Sequence, residues 1–249
     1  MSFRMDEYGA STYGDRVADV YDEWFPTDDS VEAAVETLAE LAGDQPALEL
    51  AIGTGRIAIP LAARRVDVRG IDASEAMVAR LRAKPGGRGI PVTIGDFADV
   101  DVDGPFGLVF IVFNTLFALL SQEDQLRCFH AVADRLTPGG AFVVEAFVPD
   151  PTRYSHGQRV SASRVGVDDV WLEVGSHDAA TQRIDSSRVV IGAAGVRTYP
   201  VRLRYAWPSE LDLMARLAGL RLRARWGGWR REPFDSASTS HVSVWERAA

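Results

Sequence analysis

Short apolar runs alternate with stretches of helical spacing between residues 28 and 147. The apolar runs predict strands at Ala47–Gly53, Val66–Asp72, Ile90–Asp96, Phe106–Phe113 and Ala141–Phe147. The intervening periodicity and caps predict helices at Asp28–Gly43, Gly55–Arg65, Ser74–Lys84 and Ser121–Leu136. Strand and helix in regular alternation indicate an α/β fold with a doubly wound parallel sheet.

The pattern changes after Pro149. Polar and apolar residues alternate from Val160 to Tyr205, with the turn sequence GAAG at Gly192–Gly195, which predicts an antiparallel β insertion. A helix over Trp207–Leu220 and strands at Leu220–Trp226 and His241–Arg247 are predicted to follow.

The N-terminal part of the chain predicts one amphipathic, aromatic-rich helix over Thr12–Phe25. Together these patterns divide the chain into four parts. They are N-terminal lid helices (residues 1–45), a core (46–150), an antiparallel cap (151–206) and a C-terminal helix with the last two core strands (207–249).

Composition narrows the class of protein. A chain of 249 residues forms one large domain or a domain with a subdomain, and its net charge of -8 argues against a nucleic-acid partner. The one basic stretch, Arg221–Arg231, is interpreted as a solvated strand edge. The single cysteine, Cys128, is predicted to be a buried core thiol. No apolar run is long enough for a membrane span and the N-terminus does not resemble a signal peptide, so we expect a cytoplasmic protein.

Two glycines interrupt the stretch LELAIGTGRIAIPLA, directly after the first predicted strand. Ligands bind beyond the carboxyl ends of parallel strands, and Gly53 and Gly55 permit close backbone approach there. Asp72 ends the second strand, 19 residues after Gly53, a spacing that suits a carboxylate gripping a ribose diol. The pattern E-x-A-x-G-x-G lacks the first glycine of the G-x-G-x-x-G dinucleotide fingerprint.

The third predicted strand ends in an acid and an aromatic residue. Asp96 could accept a hydrogen bond from an adenine amine, and Phe97 could pack on its ring. Asp72 and Asp96 have a second interpretation as turn formers, and Phe97 has one as an ordinary core residue. Metal-ligand spacings such as H-x-x-x-H are absent from the sequence, so we expect no metal.

The order and spacing of these motifs from Glu49 to Glu145 resemble those of the class I S-adenosylmethionine-dependent methyltransferases. The resemblance covers most of the chain. It implies a seven-stranded Rossmann-like sheet with an N-terminal helical lid and an antiparallel insertion after the fifth strand. The layout, with its Tyr21-Asp22 pair, is similar to that of bacterial natural-product and amino-sugar N-methyltransferases.

The resemblance implies S-adenosylmethionine as the cofactor and assigns roles to individual residues. Glu49 and the backbone from Ala51 to Gly55 would hold the methionyl part, and alanine at position 51, where many relatives have glycine, is expected to matter little. The full set of implied cofactor residues is Tyr21, Glu49, Ala51, Gly53, Gly55, Asp72, Ala73, Met77, Asp96, Phe97 and Phe113.

The residues expected to act on the acceptor come from three parts of the chain. Tyr13, Tyr21 and Glu145 are the candidate catalytic groups. The candidate acceptor-binding residues are Asn114, Phe117, Trp171 and Tyr205. Other interpretations stay open: the tyrosines could belong to a plain hydrophobic anchor, Glu145 could pair with a basic neighbour, and the aromatics of the insertion could bury a dimer interface. Ala118 occupies the place where some amino-sugar enzymes carry a histidine.

We therefore expect a methyltransferase that methylates the amine of a small natural-product or sugar-like molecule by direct displacement. A small-molecule O-methyltransferase is the first alternative. A non-catalytic cofactor-binding module and a Rossmann oxidoreductase are the further ones. Neither nucleic acid nor a membrane is an expected partner, and a homo-oligomer through the β insertion is possible.

Overall fold

The computed structural model describes residues 8–248, which form two β-sheets and seven α-helices. The strands are β1 (Ala47–Leu50), β2 (Val68–Asp72), β3 (Val92–Ile94), β4 (Phe106–Ile111), β5 (Leu136–Phe147), β6 (Gln158–Val165), β7 (Asp169–Asp178), β8 (Arg183–Gly192), β9 (Gly195–Arg204), β10 (Leu220–Trp226) and β11 (Ser240–Arg247). The helices are α1 (Thr12–Val17), α2 (Tyr21–Trp24), α3 (Asp29–Ala42), α4 (Ala58–Ala63), α5 (Glu75–Ala83), α6 (Gln122–Arg135) and α7 (Pro208–Leu217).

The larger sheet has seven strands in the order β10-β11-β5-β4-β1-β2-β3. β1 to β5 pair in parallel, whereas β11 pairs antiparallel with both β5 and β10. β1 and β4 are buried along their whole length, which is why both read as nearly unbroken apolar runs. The predicted doubly wound, Rossmann-like sheet of seven strands is confirmed.

Antiparallel strands β6 to β9 form the second sheet, which follows β5 as predicted. The β8–β9 turn falls at the GAAG sequence, where Gly192 pairs with Gly195. One end of this sheet reaches the carboxyl edge of the larger sheet, because the guanidinium of Arg183 donates to the carbonyl oxygen of Leu120. The insertion thus contacts this edge of the larger sheet.

The N-terminal helix is not continuous, so the single helix predicted for Thr12–Phe25 is wrong. The chain forms α1, breaks over residues 18–20, and resumes as α2. The break lets α1 and α2 follow the core surface, since Val17 and Ala18 pack with Met77 of α5. Gly14 allows the close approach, because a Cβ atom there would lie 2.6 Å from the Cβ of Ser74.

Helix caps follow the sequence closely, with one exception. Ser74 and Ser121 accept backbone N–H bonds at the start of α5 and α6, as predicted, and of the two aspartates that could cap α3 it is Asp28 that does so. The helix expected to begin at Gly55 instead begins at Ala58. The positive φ angles of Gly53 and Gly55 form a turn that delays the helix.

The remaining predictions on the surface and core are consistent with the structure. The basic stretch lies largely on edge strand β10, where Arg225 pairs with Asp212 and Arg221 pairs with Glu246. Cys128 is buried. Over residues 8–248, the structure contains no helix that is both long enough and apolar enough to cross a membrane.

Candidate active site

A cavity of about 270 Å³ opens at the carboxyl edge of the larger sheet, between the sheet and the N-terminal segment (α1 and α2). The predicted site residues that line it are Tyr13, Tyr21, Ala51, Gly53, Asp72, Ala73, Met77, Asp96 and Phe97. The structure therefore brings together residues from the ends of β1 and β2, the segment after β3, and α1 and α2.

The turn after β1 is held in an unusual backbone conformation. Gly53 and Gly55 have φ angles of 56° and 78°. Ala51 also has a positive φ, 55°, in a region that residues with a Cβ atom seldom occupy. Alanine at this position is thus a strained choice rather than the neutral one that the sequence suggested.

Asp72 braces this turn from the end of β2. One carboxylate oxygen accepts the N–H of Gly53 at 2.7 Å, and the other accepts the N–H of Ser74 at 2.8 Å. Burial raises the pKa of the Asp72 carboxyl, although the two N–H donors oppose that rise. Each oxygen of Asp72 thus already accepts one backbone hydrogen bond and can accept another from a ligand in the cavity.

Asp96 and Phe97 form the opposite part of the lining. Asp96 accepts the N–H of Ala98 at 2.9 Å, as a turn former does, yet its side chain also borders the cavity. Phe97 is 8% exposed and belongs to the core, but it too contributes to the lining. Asp96 and Phe97 therefore each make a structural contact and also line the cavity.

Two carboxyls outside the cavity lining have raised pKa values. Glu49 is 3% exposed, its Oε2 has no hydrogen-bond partner, and burial followed by the nearby Asp72 charge raises its pKa. Glu145, at the end of β5, accepts the N–H of Phe113 at 3.0 Å, and burial raises its pKa as well. Both groups therefore take up a proton more readily than an exposed glutamate.

The two tyrosines of the N-terminal segment are neutral hydroxyls at physiological pH. Burial raises the pKa of Tyr21 to about 12, against the opposing effect of the Arg56 charge. Burial also raises the pKa of Tyr13. Each phenol can therefore donate or accept a hydrogen bond at the cavity, but neither forms an anion in the neutral range.

Several predicted residues lie outside the cavity lining. The φ angles of Phe113 and Asn114 are positive, and the Asn114 side chain accepts the N–H of Phe147, so it secures the backbone after β4. Phe117 is fully buried against Phe147. Gly55 packs under Leu81 instead of facing the cavity.

The two aromatics predicted on the insertion also lie elsewhere. Trp171 packs against Trp24, with ring centroids 5.5 Å apart, and borders a different cavity. Tyr205 is buried and its hydroxyl bonds to His177 at 2.9 Å. Both side chains thus contact protein partners, and neither lines the cavity at the carboxyl edge.

Sequence reasoning missed several features of the site. Tyr8, Thr115 and Arg127 also line the cavity. Arg56 follows the glycine turn with its guanidinium carbon 4.0 Å from the centroid of the Phe113 ring. The acidic residues of the N-terminal segment contact the core at successive positions: Asp15, Asp19 and Asp22. The aspartates are four and three residues apart, a spacing that indicates one helix face and could have identified them. For Arg56, the sequence holds nothing that distinguishes it from a solvated arginine.

Those three aspartates fasten the N-terminal segment to the cofactor side of the core. The hydroxyl of Ser74 donates to Asp15 at 2.6 Å, and Arg80 pairs with Asp19. Asp22 accepts bonds from both the hydroxyl of Thr54 and the ammonium of Lys84, each at 2.7 Å. Thr54 lies within the glycine turn, so the segment and the turn are directly linked.

Within residues 8–248, no group of three or more His, Cys, Asp or Glu side chains is arranged to hold a metal ion. The polar groups at the cavity are instead carboxylates, phenols, backbone amides, the hydroxyls of Ser74 and Thr115, and the guanidinium of Arg127. Such donors and acceptors match ribose hydroxyls, an aromatic amine and an amino-acid end group.

Known proteins share both the motif region and the whole fold. Residues 47–140 match a family described as a methyltransferase domain. The cypemycin N-terminal methyltransferase of Streptomyces sp is 30% identical over 201 residues, which is 80% of this chain and 82% of that protein. A dTDP-4-amino-2,3,4,6-tetradeoxy-D-glucose N,N-dimethyltransferase from Saccharopolyspora spinosa is 30% identical over 145 residues, 55% of this chain and 56% of that one. The structure of the CcbJ methyltransferase from Streptomyces caelestis superimposes with a TM-score of 0.91 at 41% identity and covers 97% of this chain and 100% of its own.

Proposed function

Because the chain belongs to the S-adenosylmethionine-dependent methyltransferases, we propose that it transfers a methyl group to the amine nitrogen of a small-molecule acceptor. The observation that carries the proposal is the cavity at the carboxyl edge, where both tyrosines meet Asp72, Asp96 and the glycine turn. Family membership favours a methyltransferase over the Rossmann oxidoreductase and the non-catalytic module.

We assign the parts of S-adenosylmethionine to the cavity in the order that the motifs imply. We assign Asp72 to the ribose hydroxyls, with Ala73 and Met77 beside the adenosine. Asp96 and Phe97 are assigned to the adenine. Glu49 and the turn from Ala51 to Gly55 are assigned to the methionyl end, where the unpartnered Oε2 of Glu49 is a ready acceptor for an ammonium group.

The cofactor supplies a methyl group already activated by a sulfonium centre, so the protein's task is to place and desolvate the nucleophile. Bound there, the cofactor would offer its methyl group to the lone pair of the acceptor nitrogen, with the neutral thioether as leaving group. A proton then leaves the nitrogen. Tyr13 and Tyr21 can orient the amine through their neutral hydroxyls, and their rings attract positive charge.

Glu145 is the carboxyl that we propose as the final proton acceptor, directly or through water. Burial raises the pKa of Glu145, so this pKa lies closer to neutral pH than the pKa of an exposed glutamate, as suits a proton acceptor. It also fixes the backbone at Phe113, next to the cavity wall. We propose that Phe113, Asn114 and Phe117 support the acceptor side of the site without contacting the acceptor, since their side chains contact protein.

An amine acceptor is favoured over a hydroxyl by the chemistry of the relatives. The cypemycin enzyme acts at an N-terminus and the Saccharopolyspora enzyme on an amino sugar nitrogen, as their names state. An aliphatic amine needs little activation, whereas an aliphatic hydroxyl needs a strong base near the methyl group. Neither high-pKa tyrosine is such a base.

Matched acceptors test the proposal. Release of S-adenosylhomocysteine is measured with a free and an N-acetylated tripeptide, and with a 4-amino-4-deoxy sugar and its 4-hydroxy counterpart. We expect turnover only with members that carry a free amine. Turnover on the hydroxyl sugar with no activity on any amine would favour the O-methyltransferase alternative.

A further inference from the structure

Arg56 occupies a place between the cofactor turn and the acceptor side. It follows Gly55 and precedes α4, and its guanidinium stacks on the ring of Phe113 at 4.0 Å from the centroid. Stacking of this kind fixes the plane of the guanidinium while leaving its N–H groups free at the edge.

The guanidinium of Arg56 has no ion-pair partner among residues 8–248. Its Nε is buried and lacks a hydrogen-bond partner. The charged or titratable groups that sense it are Tyr21, Glu145 and Asp28, and none of them forms a salt bridge with it. A buried N–H donor without a partner is unfavourable, so the site lacks an acceptor that a ligand can provide.

Glu49 supplies a carboxyl in the same region, and a bound ammonium would favour its charged form although burial raises its pKa. The unpartnered Oε2 of Glu49 and the unpartnered Nε of Arg56 are two of three such buried side-chain atoms within residues 8–248. Both residues act electrostatically on Tyr21, which lines the cavity. An α-amino acid end group carries one ammonium and one carboxylate, and these two side chains complement its charges.

We infer that Arg56 binds the α-carboxylate of the cofactor's methionyl group. The inference rests on the proposed placement of S-adenosylmethionine and deepens it by naming the partner of that carboxylate. An arginine suits the task because its fork matches the two oxygens of a carboxylate. Phe113 is then a positioning residue, since it holds the guanidinium plane.

The competing possibility is that Arg56 binds an anionic group on the acceptor. Cofactor fragments distinguish the two. S-adenosylhomocysteine carries the α-carboxylate, whereas 5′-methylthioadenosine contains the adenosine and sulfur without the amino-acid end. Only a residue that contacts the amino-acid end changes the ratio of the two affinities.

The experiment measures both affinities by calorimetric titration for the wild type, Arg56→Gln, Arg56→Lys and the control Arg64→Gln, which alters a surface pair with Glu32. We expect Arg56→Gln to weaken binding of S-adenosylhomocysteine about tenfold or more and to leave 5′-methylthioadenosine unchanged. Arg56→Lys should recover part of the loss, and Arg64→Gln should match the wild type. Retained binding of 5′-methylthioadenosine also shows that the variant is folded.

Two outcomes overturn the inference. Equal loss of both ligands in Arg56→Gln would mean that the residue only supports the cavity. Unchanged affinity for both would mean that it does not contact the cofactor. If the wild type bound neither compound, the proposed function itself would fail, and that result is distinct from either of these.

Discussion

Gly55 is constrained twice, by its backbone angle and by its neighbours. Its φ is 78°, and a Cβ atom would lie 3.0 Å from Leu81. Gly55→Ala therefore combines a left-handed alanine, about 1–2 kcal/mol, with crowding of similar size. We expect a loss of about 2–4 kcal/mol in the free energy of unfolding, measured by denaturant titration.

Gly219 provides the matched control for this prediction. Its φ is 77°, almost the same, but no atom lies within 4 Å of its hypothetical Cβ. Gly219→Ala should thus lose only the backbone part, about 1–2 kcal/mol. Equal losses in the two variants would show that contact with Leu81 is unimportant.

The phenol oxygens of Tyr13 and Tyr21 are the next test at residue scale. Removing either oxygen keeps the ring and its packing with α5 but removes the hydrogen bond that we propose to orient the amine. Tyr13→Phe and Tyr21→Phe should each lower kcat by about tenfold or more, while the affinity for S-adenosylhomocysteine stays within about twofold.

Normal turnover in both phenylalanine variants would contradict the catalytic role of the tyrosines. The N-terminal segment would then be a hydrophobic anchor, and Glu145 would be the main candidate for proton removal. Steady-state kinetics with the best acceptor from the matched panel, together with cofactor titration, separates these results.

At the scale of elements, Asp22 connects α2 to the glycine turn and to the residue after α5. Asp22→Ala removes the bonds to Thr54 and Lys84. Since the pair with Lys84 is partly exposed, we expect a modest effect: S-adenosylhomocysteine should dissociate about three- to tenfold faster. Stopped-flow displacement measures the rate.

Glu23→Ala is the control for Asp22, because Glu23 is exposed on the same short helix. Hydrogen exchange of α1 and α2 gives a second readout, with lower protection expected in Asp22→Ala alone. Unaltered dissociation and exchange would mean that the aspartate contacts do not hold the segment closed.

The elements of the sheet could be predicted because local pattern and tertiary role agree there. β1 and β4 are buried on both faces, so their apolar runs identify them directly. Ser74 and Ser121 cap their helices through contacts within three residues, which the sequence displays.

The N-terminal segment could not be predicted in the same way. Its helical periodicity is real, but packing on α5 and the close approach at Gly14 break the helix, and both depend on residues far along the chain. The same holds for Trp171 and Tyr205, whose partners Trp24 and His177 were not evident from spacing. The positive φ of Ala51 likewise arises from the turn as a whole.

For the whole molecule, His241 makes stability depend on pH. It is fully buried on β11, and burial lowers its pKa to about 4 from 6.5. The unfolded chain therefore binds more protons between pH 6.5 and 4, so stability is complete above pH 6.5 and falls as the pH drops through this window. Over the whole window, the free energy of unfolding falls by about 3 kcal/mol because of His241.

His241→Gln should flatten that dependence, whereas His130→Gln, which changes an exposed histidine, should preserve it. The comparison uses urea unfolding at several pH values between 4 and 7. An identical slope in wild type and His241→Gln would contradict the assignment, whatever the absolute stabilities are.

The outer face of the insertion carries an exposed apolar row. Val165, Val170, Ile191 and Val196 form one row across β6 to β9, and Val165 and Val196 are 77% and 65% exposed. An apolar row of this kind is typical of a buried interface, so we predict self-association through this face.

Val196→Asp should shift the protein toward monomer in sedimentation velocity by placing a charge in the row. Val167→Asp is the control, since Val167 is fully exposed in the β6–β7 connection and outside the row. A wild type that is monomeric at every concentration would remove the prediction.

The position of β11 between β5 and β10 has a consequence for the order in which the molecule assembles. When β11 pairs with β5, His241 comes to lie opposite Ala146, roughly a hundred residues earlier in the chain, and closing so long a loop is slow. The meander β6 to β9, whose pairings join neighbours in sequence, meets no such delay. We therefore expect the insertion to fold first and β10 and β11 to join the large sheet last. The middle of the chain would then already be folded when the C-terminal strands pair with β5.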